Sequence, residues 1–366
     1  MIIERLELVD FRNYHEAVFT PTTGTTLVVG DNGQGKTNLV EAIAYLATLT
    51  SFRGAPPEAL VRTGTSRAVL RANVLDDDRS SLIEAELAVP GRSRVQVNRQ
   101  RLVRARDLLG VVRVTVFSPD DLALVKGGPS GRRRYLDDTL VALAVKHDAG
   151  RLELDRIVRQ RNVLLRQTRG RLDEDAARTL DVWDQRLVDV GERFGHARAA
   201  LVARLEPFVV EAYGQLAGAA DGIALAYDPA WRRTGLDAAL AAARPADLRL
   251  GVSTVGPHRD ELDLAVGALP ARTHASQGEQ RTLALALRLA AHRLVAERTG
   301  STPVLVLDDV LSELDLGRAA ALLEHLPDGQ IIITTAGEAP AAVEPERVLR
   351  VVAGILHDGA SSRVGF

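Results

Sequence analysis

The chain of 366 residues contains no cysteine, so disulfide bonds, thiolate catalysis, iron–sulfur clusters and cysteine-based zinc sites are excluded. Aromatic residues make up only 4 % of the sequence, which disfavours recognition of single strands through stacked bases. No apolar run reaches the roughly 18 residues of a membrane span. The charged start, Met1 to Arg5, also lacks the apolar core of a signal peptide. We therefore expect a cytoplasmic protein without a membrane partner.

Lysine is scarce as well, since only Lys36, Lys126 and Lys146 occur beside many arginines. We attribute this preference to coding bias, and it makes a lysine inside a motif hard to dismiss as background. The net charge of −2 does not mark the whole chain as a nucleic-acid binder. With 46 % hydrophobic and 26 % charged residues, the composition and length predict two lobes or one large α/β unit.

The order of apolar patterns predicts an α/β fold with a separate helical part. Short alternating strands, expected to be antiparallel, occupy residues 65 to 115, and the run from Val111 to Phe117 is assigned with them. Apolar stripes at helical spacing follow in residues 131–169 and from Leu180 to Phe208, without the heptads of a long coiled coil. After residue 300, near-continuous apolar strands alternate with helices and indicate a parallel sheet that is covered on both faces.

The strongest motif follows the apolar strand at Thr25 to Val29 and matches the phosphate-binding pattern G-x-x-x-x-G-K-[ST]. It reads Gly30-Asp31-Asn32-Gly33-Gln34-Gly35-Lys36-Thr37. An ordinary glycine turn before a helix is the alternative, but a chance match is expected on the order of once per hundred chains of this length. We expect this loop to bind the phosphates of a nucleotide, with Lys36 at the terminal phosphates and the Thr37 hydroxyl on Mg²⁺.

A second carboxylate-bearing strand ends in Asp308 and Asp309. A strand that ends in a solvated turn would look similar. Paired with the loop, however, this strand predicts that Asp308 holds Mg²⁺ and that Asp309 activates a water as general base.

The helix expected from about Glu279 to Arg298 is preceded by Ser276, Gln277 and Gly278. Ser276 with Glu279 forms a capping-box pattern, and the same helix start is also a candidate second anion site. Both interpretations hold together, because a cap leaves other amide groups free for a ligand.

These motifs together resemble the ABC-type ATPases, in which such a signature helix binds the γ-phosphate held by the partner subunit's phosphate-binding loop. The string Ser312-Glu313-Leu314-Asp315 matches the D-loop of that class. The 240 residues between Lys36 and Ser276 are far more than in a transport ATPase and far fewer than in SMC and Rad50 proteins.

The intermediate spacing and several local strings resemble the RecF family of DNA-repair proteins. In family order the strings are Phe11-Arg12-Asn13-Tyr14, Ser51-Phe52-Arg53, Phe117-Ser118-Pro119-Asp120, Lys126-Gly127-Gly128-Pro129, Arg132-Arg133-Arg134-Tyr135-Leu136-Asp137, Gln160-Arg161-Asn162 and Gly256-Pro257-His258-Arg259-Asp260. The resemblance implies an ABC-type head with a mixed or parallel sheet lobe and a mainly helical lobe. We expect an ATP-binding lobe of residues 1–115 and 300–366, and a helical lobe of 116–299 that ends in the signature helix.

The resemblance further implies an ATP-dependent homodimer that sandwiches ATP and Mg²⁺. Arg12, Asn13 and Asp315 join the nucleotide contacts on this ground. The function it implies is a weak DNA-dependent ATPase that acts as a clamp in recombinational repair. Such a clamp would bind gapped DNA or single-strand/double-strand junctions and assist RecA loading with RecO and RecR.

The chain departs from the general ABC pattern around the reacting phosphate. Asp309 stands where the class has a catalytic glutamate, Thr334 and Thr335 stand where it has a histidine, and no Q-loop glutamine is found. We therefore expect slow hydrolysis. A non-hydrolysing ATP-binding scaffold remains an alternative, and a transport ATPase is a weaker one.

DNA contact is expected from a basic segment between Gly91 and Arg106 that contains no acid. Its arginines are Arg92, Arg94, Arg99, Arg101, Arg104 and Arg106. A solvated hairpin edge is the alternative, but arginine suits bidentate contacts to the phosphate backbone, with little sequence preference.

For three other charged regions we favour a structural or solvent-exposed role over a functional one. The arginines 132 to 134 are followed by the neutralising Asp137 and Asp138, and the arginines of 151–171 are expected on a mixed, solvated helix surface. For His258 with Arg259 and Asp260 we favour a structural or lobe-coupling role.

Overall fold

The computed structural model describes residues 1–218, 222–336 and 343–359. The strands are β1 (Ile2–Phe11), β2 (Tyr14–Phe19), β3 (Thr25–Val29), β4 (Arg67–Asp76), β5 (Arg79–Ala88), β6 (Arg94–Val97), β7 (Gln100–Arg101), β8 (Val114–Phe117), β9 (Ala224–Ala226), β10 (Asp263–Val266), β11 (Leu269–Pro270), β12 (Val304–Asp308), β13 (Ile331–Thr335), β14 (Arg347–Val352) and β15 (Ile355–Asp358). The helices are α1 (Lys36–Thr48), α2 (Pro57–Leu60), α3 (Leu122–Lys126), α4 (Pro129–Leu143), α5 (Lys146–Gln167), α6 (Glu174–Ala217), α7 (Trp231–Thr234), α8 (Leu236–Leu250), α9 (Ala271–His274), α10 (Gln277–Thr299) and α11 (Leu316–Glu324). No helix in these described ranges has the length and apolar character needed to cross a membrane.

A mixed sheet of six strands, in the order β15-β14-β3-β13-β12-β8, carries the predicted phosphate-binding loop. All neighbouring strands run parallel except the β14–β15 pair. Every residue of β12 and of β13 is buried, which explains their unbroken apolar sequences. Because the carboxyl ends of β3, β12 and β13 meet at one edge, the loop, Asp308 and Thr334 lie together there.

A second sheet of six strands is antiparallel throughout, in the order β2-β1-β4-β5-β6-β7. Its inner side chains join a core that includes Leu6, Leu70 and Ile83. On the exposed side, Arg71 bridges Glu7 and Glu84 at 2.8 Å each. Apolar and charged residues therefore alternate in β1, β4 and β5 because one face of this sheet packs on the core and the other is exposed.

One strand assignment from the sequence was wrong. The run from Val111 to Phe117 was expected to belong to the antiparallel strands, but the part of it that forms a strand, β8, pairs in parallel with β12. A short apolar run shows only that a strand is buried and does not show which sheet it joins. The strands β14 and β15 were not predicted at all.

The middle of the chain is helical, as predicted. Side chains of α5, α6 and α8 pack together around Leu187, Val190 and Phe194, with Trp231 and Leu154 beside them. A small antiparallel sheet, in the order β11-β10-β9, accompanies these helices. Asp260 accepts hydrogen bonds from the Tyr227 hydroxyl and from Trp231 Nε1, so the Asp260 side chain has structural partners.

The prediction that the arginines of 151–171 form a solvated surface was wrong for Arg161. Its side chain is fully buried and donates to Asp184 and Asp247, at 2.6 Å in each case. Asp247 is itself inaccessible to solvent. The two carboxylates come from α6 and α8, so the local sequence around Arg161 contained no sign of them.

The chain forms two compact units. The first contains Met1–Asp121 and the residues from Ala284 onward, with a short piece of α6, and the second contains Leu122–Glu211 and the segment up to Leu283. The domain boundaries near residues 115 and 300 stay a prediction.

Candidate nucleotide site

The loop between β3 and α1 uses glycine where no other residue fits. A Cβ at Gly30 would lie 2.5 Å from the carbonyl oxygen of Val351, and one at Gly35 would lie 2.7 Å from Asn13 Nδ2. Gly35 and Gly33 also have φ values of 124° and 81°, in the region that favours glycine. The glycines at the two ends of the loop therefore allow close contact, with the backbone of Val351 at Gly30 and with the Asn13 side chain at Gly35.

Lys36 lies inside this loop and is only 5 % exposed. Its ammonium donates to the carbonyl oxygens of Gly30 and Asp31, at 2.6 and 3.0 Å. Among the described residues no carboxylate forms an ion pair with it. A buried cation that is held only by carbonyl dipoles lacks a counter-charge, which an anionic ligand would supply.

Two neighbouring turns brace the loop from outside. Asn13 Nδ2 donates to the Gln34 carbonyl at 2.8 Å, and the Tyr14 hydroxyl donates to the Gly35 carbonyl at 2.9 Å. From the β14–β15 turn, the amide of Ala353 donates to Gln34 Oε1 at 2.6 Å. The side chains of Asn13 and Gln34 thus hold the loop in shape, and their predicted contact with nucleotide stays a prediction.

Arg12 is held by a buried carboxylate that the sequence did not single out. Its guanidinium makes two 2.8 Å hydrogen bonds to Glu41 of α1 and a third to the carbonyl of Ala59. Glu41 is fully buried and also accepts a hydrogen bond from the Ser51 hydroxyl. Here Arg12 ties the β1–β2 turn to α1, while its role at the nucleotide stays a prediction.

Asp308 stands at the end of β12 with two hydroxyls directed at one of its oxygens. Thr37 Oγ1 donates to Asp308 Oδ1 at 3.2 Å, and Thr334 Oγ1 donates to the same atom at 2.7 Å. Burial raises the pKa of the Asp308 carboxyl above its ordinary value. The hydroxyl and carboxylate predicted to hold Mg²⁺ are therefore side by side, and hard oxygen donors of this kind fit that ion.

Asp309 follows in a left-handed backbone conformation, with φ at 55°. Its amide donates to the carbonyl and to the hydroxyl of Thr334, at 3.2 and 3.0 Å. Its Oδ1 is buried and makes no hydrogen bond in the structure. The predicted general base therefore has an acceptor atom without a hydrogen-bond partner among the described residues.

The start of α10 has the capping box expected from the sequence. The Ser276 amide donates to Glu279 Oε2 at 2.7 Å, and the Glu279 amide donates to Ser276 Oγ at 3.3 Å. Ser276 and Gln277 are exposed, and Gly278 follows them in the first turn. The cap is confirmed, and the anion site at the same helix start stays a prediction.

Asp315 of the predicted D-loop caps α11. Its carboxylate accepts from the Arg318 amide at 2.9 Å, and this bond holds the pKa of Asp315 below its ordinary value. Its predicted nucleotide contact stays a prediction as well.

The basic segment forms a hairpin of β6 and β7, with Asn98 and Arg99 in left-handed conformations at the turn. Most of its arginines are exposed, but Arg106 is half-buried. Arg104 pairs with Asp107, just beyond the segment, at 3.0 Å. Arg94 lies opposite Glu86 in the β5–β6 register. Acidic residues outside the segment thus reduce its positive charge. The acid-free sequence from Gly91 to Arg106 did not reveal these neighbours.

Comparisons with known proteins bear on the family and the fold of this chain. A family model described as the RecF/RecN/SMC N-terminal domain matches residues 2–354. The DNA replication and repair protein RecF of Streptomyces avermitilis is 45 % identical over 350 residues, which cover 92 % of this chain and 93 % of that protein. The chain belongs to the RecF family. A second RecF, from Paenarthrobacter aurescens, is 40 % identical and is covered completely, with 98 % of this chain.

Solved structures support the RecF fold in particular. A structure of the recombination mediator protein RecF–ATP in the RecFOR pathway has a TM-score of 0.90 at 29 % identity, covering 98 % of this chain and 97 % of that one. The Smc head domain of Pyrococcus furiosus has a TM-score of 0.56 at 16 % identity over 97 % of this chain and 94 % of that one, a likeness of fold alone. The predicted family and the ABC-type head without a long coiled coil are confirmed.

Proposed function

We propose that this chain binds ATP with Mg²⁺ and acts as an ATP-dependent DNA-binding clamp of recombinational repair. The observation that carries the proposal is the buried ammonium of Lys36, which faces loop carbonyls and has no ion-paired carboxylate among the described residues. The RecF–ATP structure supports the same ligand for this loop.

The residues around Lys36 have distinct roles in this proposal. Lys36 and the loop amides would bind the terminal phosphates, and the positive end of the α1 dipole adds to this attraction. Thr37 and Asp308 would hold Mg²⁺, which neutralises phosphate charge when bound. Asp309 would accept a proton from the attacking water, because its free Oδ1 is the kind of acceptor that a general base needs.

Assembly and DNA binding complete the proposed cycle. In a dimer, Ser276, Gln277, Gly278, Glu279 and Asp315 of one protomer would meet the nucleotide of its partner. The hairpin arginines would contact DNA phosphates, at junctions or in duplex regions, and slow hydrolysis would release the DNA. RecO and RecR would be the partners through which RecA loading is assisted.

The decisive experiment measures whether the Lys36→Arg variant dimerises. Size-exclusion chromatography with and without ATP gives the oligomeric state. A guanidinium is too large for the position between the two carbonyls, so we expect the ATP-induced dimer to be lost. The exposed Lys126 provides a matched control, and Lys126→Arg should still dimerise. An unchanged ATP-induced dimer of the Lys36 variant would overturn the proposal.

A scaffold that binds ATP without hydrolysing it is the second candidate. The observation that favours it is Asp309, which is one methylene shorter than the glutamate of the wider class. Release of phosphate, measured with and without DNA, separates the two functions. The clamp predicts slow release that DNA stimulates, and the scaffold predicts none.

A further inference from the structure

Thr334, on β13, links the two carboxylate residues at the end of β12. It is fully buried, and the parallel register places it beside Asp308. Its hydroxyl donates to Asp308 Oδ1 at 2.7 Å and accepts the amide proton of Asp309 at 3.0 Å. A hydroxyl has one proton to give and lone pairs to accept with, so both bonds form at the same time.

The bond to Asp309 acts on its backbone. A φ of 55° is disfavoured for a residue with a Cβ and persists only where neighbouring contacts hold it. Here the carbonyl and hydroxyl of Thr334 both accept from the Asp309 amide, at 3.2 and 3.0 Å. Thr334 therefore stabilises the amide side of this turn, while the Ser312 hydroxyl donates to the Asp309 carbonyl at 2.8 Å.

The bond to Asp308 acts on its side chain. Thr37 also donates to Asp308 Oδ1, at the longer distance of 3.2 Å. In the proposed function the Thr37 hydroxyl would also bind Mg²⁺ through an oxygen lone pair, while its proton stays available to Asp308. The Thr334 hydroxyl would not bind the metal, and its shorter bond of 2.7 Å fixes the orientation of the carboxylate.

We propose that Thr334 is a positioning residue that holds Asp308 and Asp309 in the arrangement required for Mg²⁺ and for water activation. This inference rests on the proposed ATP site. It gives Thr334, near the end of β13, a definite task in a chain that lacks the histidine of the wider class.

The test compares Thr334→Val, which keeps the shape and removes the hydroxyl, with Thr334→Ser, which keeps the hydroxyl. The first readout is hydrogen exchange of the Asp309 amide without nucleotide. The valine variant should exchange about tenfold faster, because one accepting atom is lost. The serine variant should exchange at nearly the native rate. Thr335→Val is the control for this exchange, since it makes the same substitution one residue along β13.

The second readout is affinity for a fluorescent ATP analogue with and without Mg²⁺. In the valine variant, the gain in analogue affinity on adding Mg²⁺ should be about tenfold smaller than in the native chain, and the affinity without Mg²⁺ should be unchanged. The serine variant should show the native gain. Native Asp309 exchange in the valine variant, or equal Mg²⁺ dependence in all variants, would overturn the positioning role. If the native chain binds no analogue, the proposed function fails, while the exchange experiment still decides whether Thr334 holds the turn.

Discussion

Lys36 and Arg161 are both buried cations, but their surroundings differ in one respect. Arg161 is fully buried between Asp184 and Asp247, so its charge is neutralised by the fold. Lys36 is 5 % exposed, and among the described residues its ammonium is held by two backbone carbonyls and no carboxylate. The comparison teaches that burial alone does not mark a functional charge. In the proposed function, what distinguishes Lys36 is that no carboxylate among the described residues forms an ion pair with it.

The largest expected effect is the loss of stability when Arg161, the cation with carboxylate partners in the protein, is replaced. In an Arg161→Met variant, the buried Asp247 would be left without its counter-charge, whereas Asp184 would keep its ion pair with Arg244. We expect a loss of about 3–5 kcal/mol in the free energy of unfolding. Urea unfolding followed by circular dichroism measures this. Arg159→Met, at an exposed position of the same helix, should change the free energy by about 0.5 kcal/mol or less. Equal midpoints for the two variants would remove the contrast between the cations.

The second effect concerns Lys36 and is expected on ligand affinity and not on stability. A Lys36→Met variant loses a buried charge without leaving a buried carboxylate unpaired, so its stability without nucleotide should match or exceed that of the native chain. Its affinity for ATP–Mg²⁺ should fall on the order of a hundredfold, because charge-assisted bonds to phosphate are lost. Thermal unfolding with and without ATP–Mg²⁺ reports both quantities. Strong destabilisation without ligand would show that Lys36 is structural after all.

The smallest effect is expected on DNA binding by the β6–β7 hairpin, where an arginine with a carboxylate partner can be compared with one that has none in the described part of the chain. Arg104 has Asp107 as a counter-charge, whereas Arg101 is exposed and forms no ion pair within the described residues. Arg101→Ala should therefore lower the salt dependence of duplex DNA binding by about one phosphate contact. Arg104→Ala should change it less. Fluorescence anisotropy over a range of salt concentrations tests this, and identical slopes for both variants would place the DNA surface elsewhere.

The parts of the site that the sequence revealed are contiguous in the chain. The loop from Gly30 to Thr37, the pair Asp308 and Asp309, and the cap of Ser276 with Glu279 all appear as local patterns, because turns, strand ends and helix starts have local chemical requirements. The long helices were predictable for the same reason, since their apolar residues repeat at a short period.

The remaining parts depend on residues that are far apart in the chain. Glu41 with Arg12, Thr334 with Asp308, and Arg161 with Asp247 are pairs that no local pattern joins. The sheet that β8 joins was mistaken for a related reason, since its partner β12 lies almost two hundred residues away. Tertiary pairing decides these features, and periodicity does not report it.

The two turns that brace the phosphate-binding loop have a kinetic consequence. Asn13, Tyr14 and Ala353 hold the loop carbonyls and Gln34 through contacts within the protein, so little backbone entropy should be lost when a ligand binds. Lys36 would exchange its carbonyl partners for phosphate oxygens by side-chain rotation alone. Nucleotide capture by one protomer should therefore proceed near the rate at which the partners meet by diffusion, with no slow loop-folding phase before it.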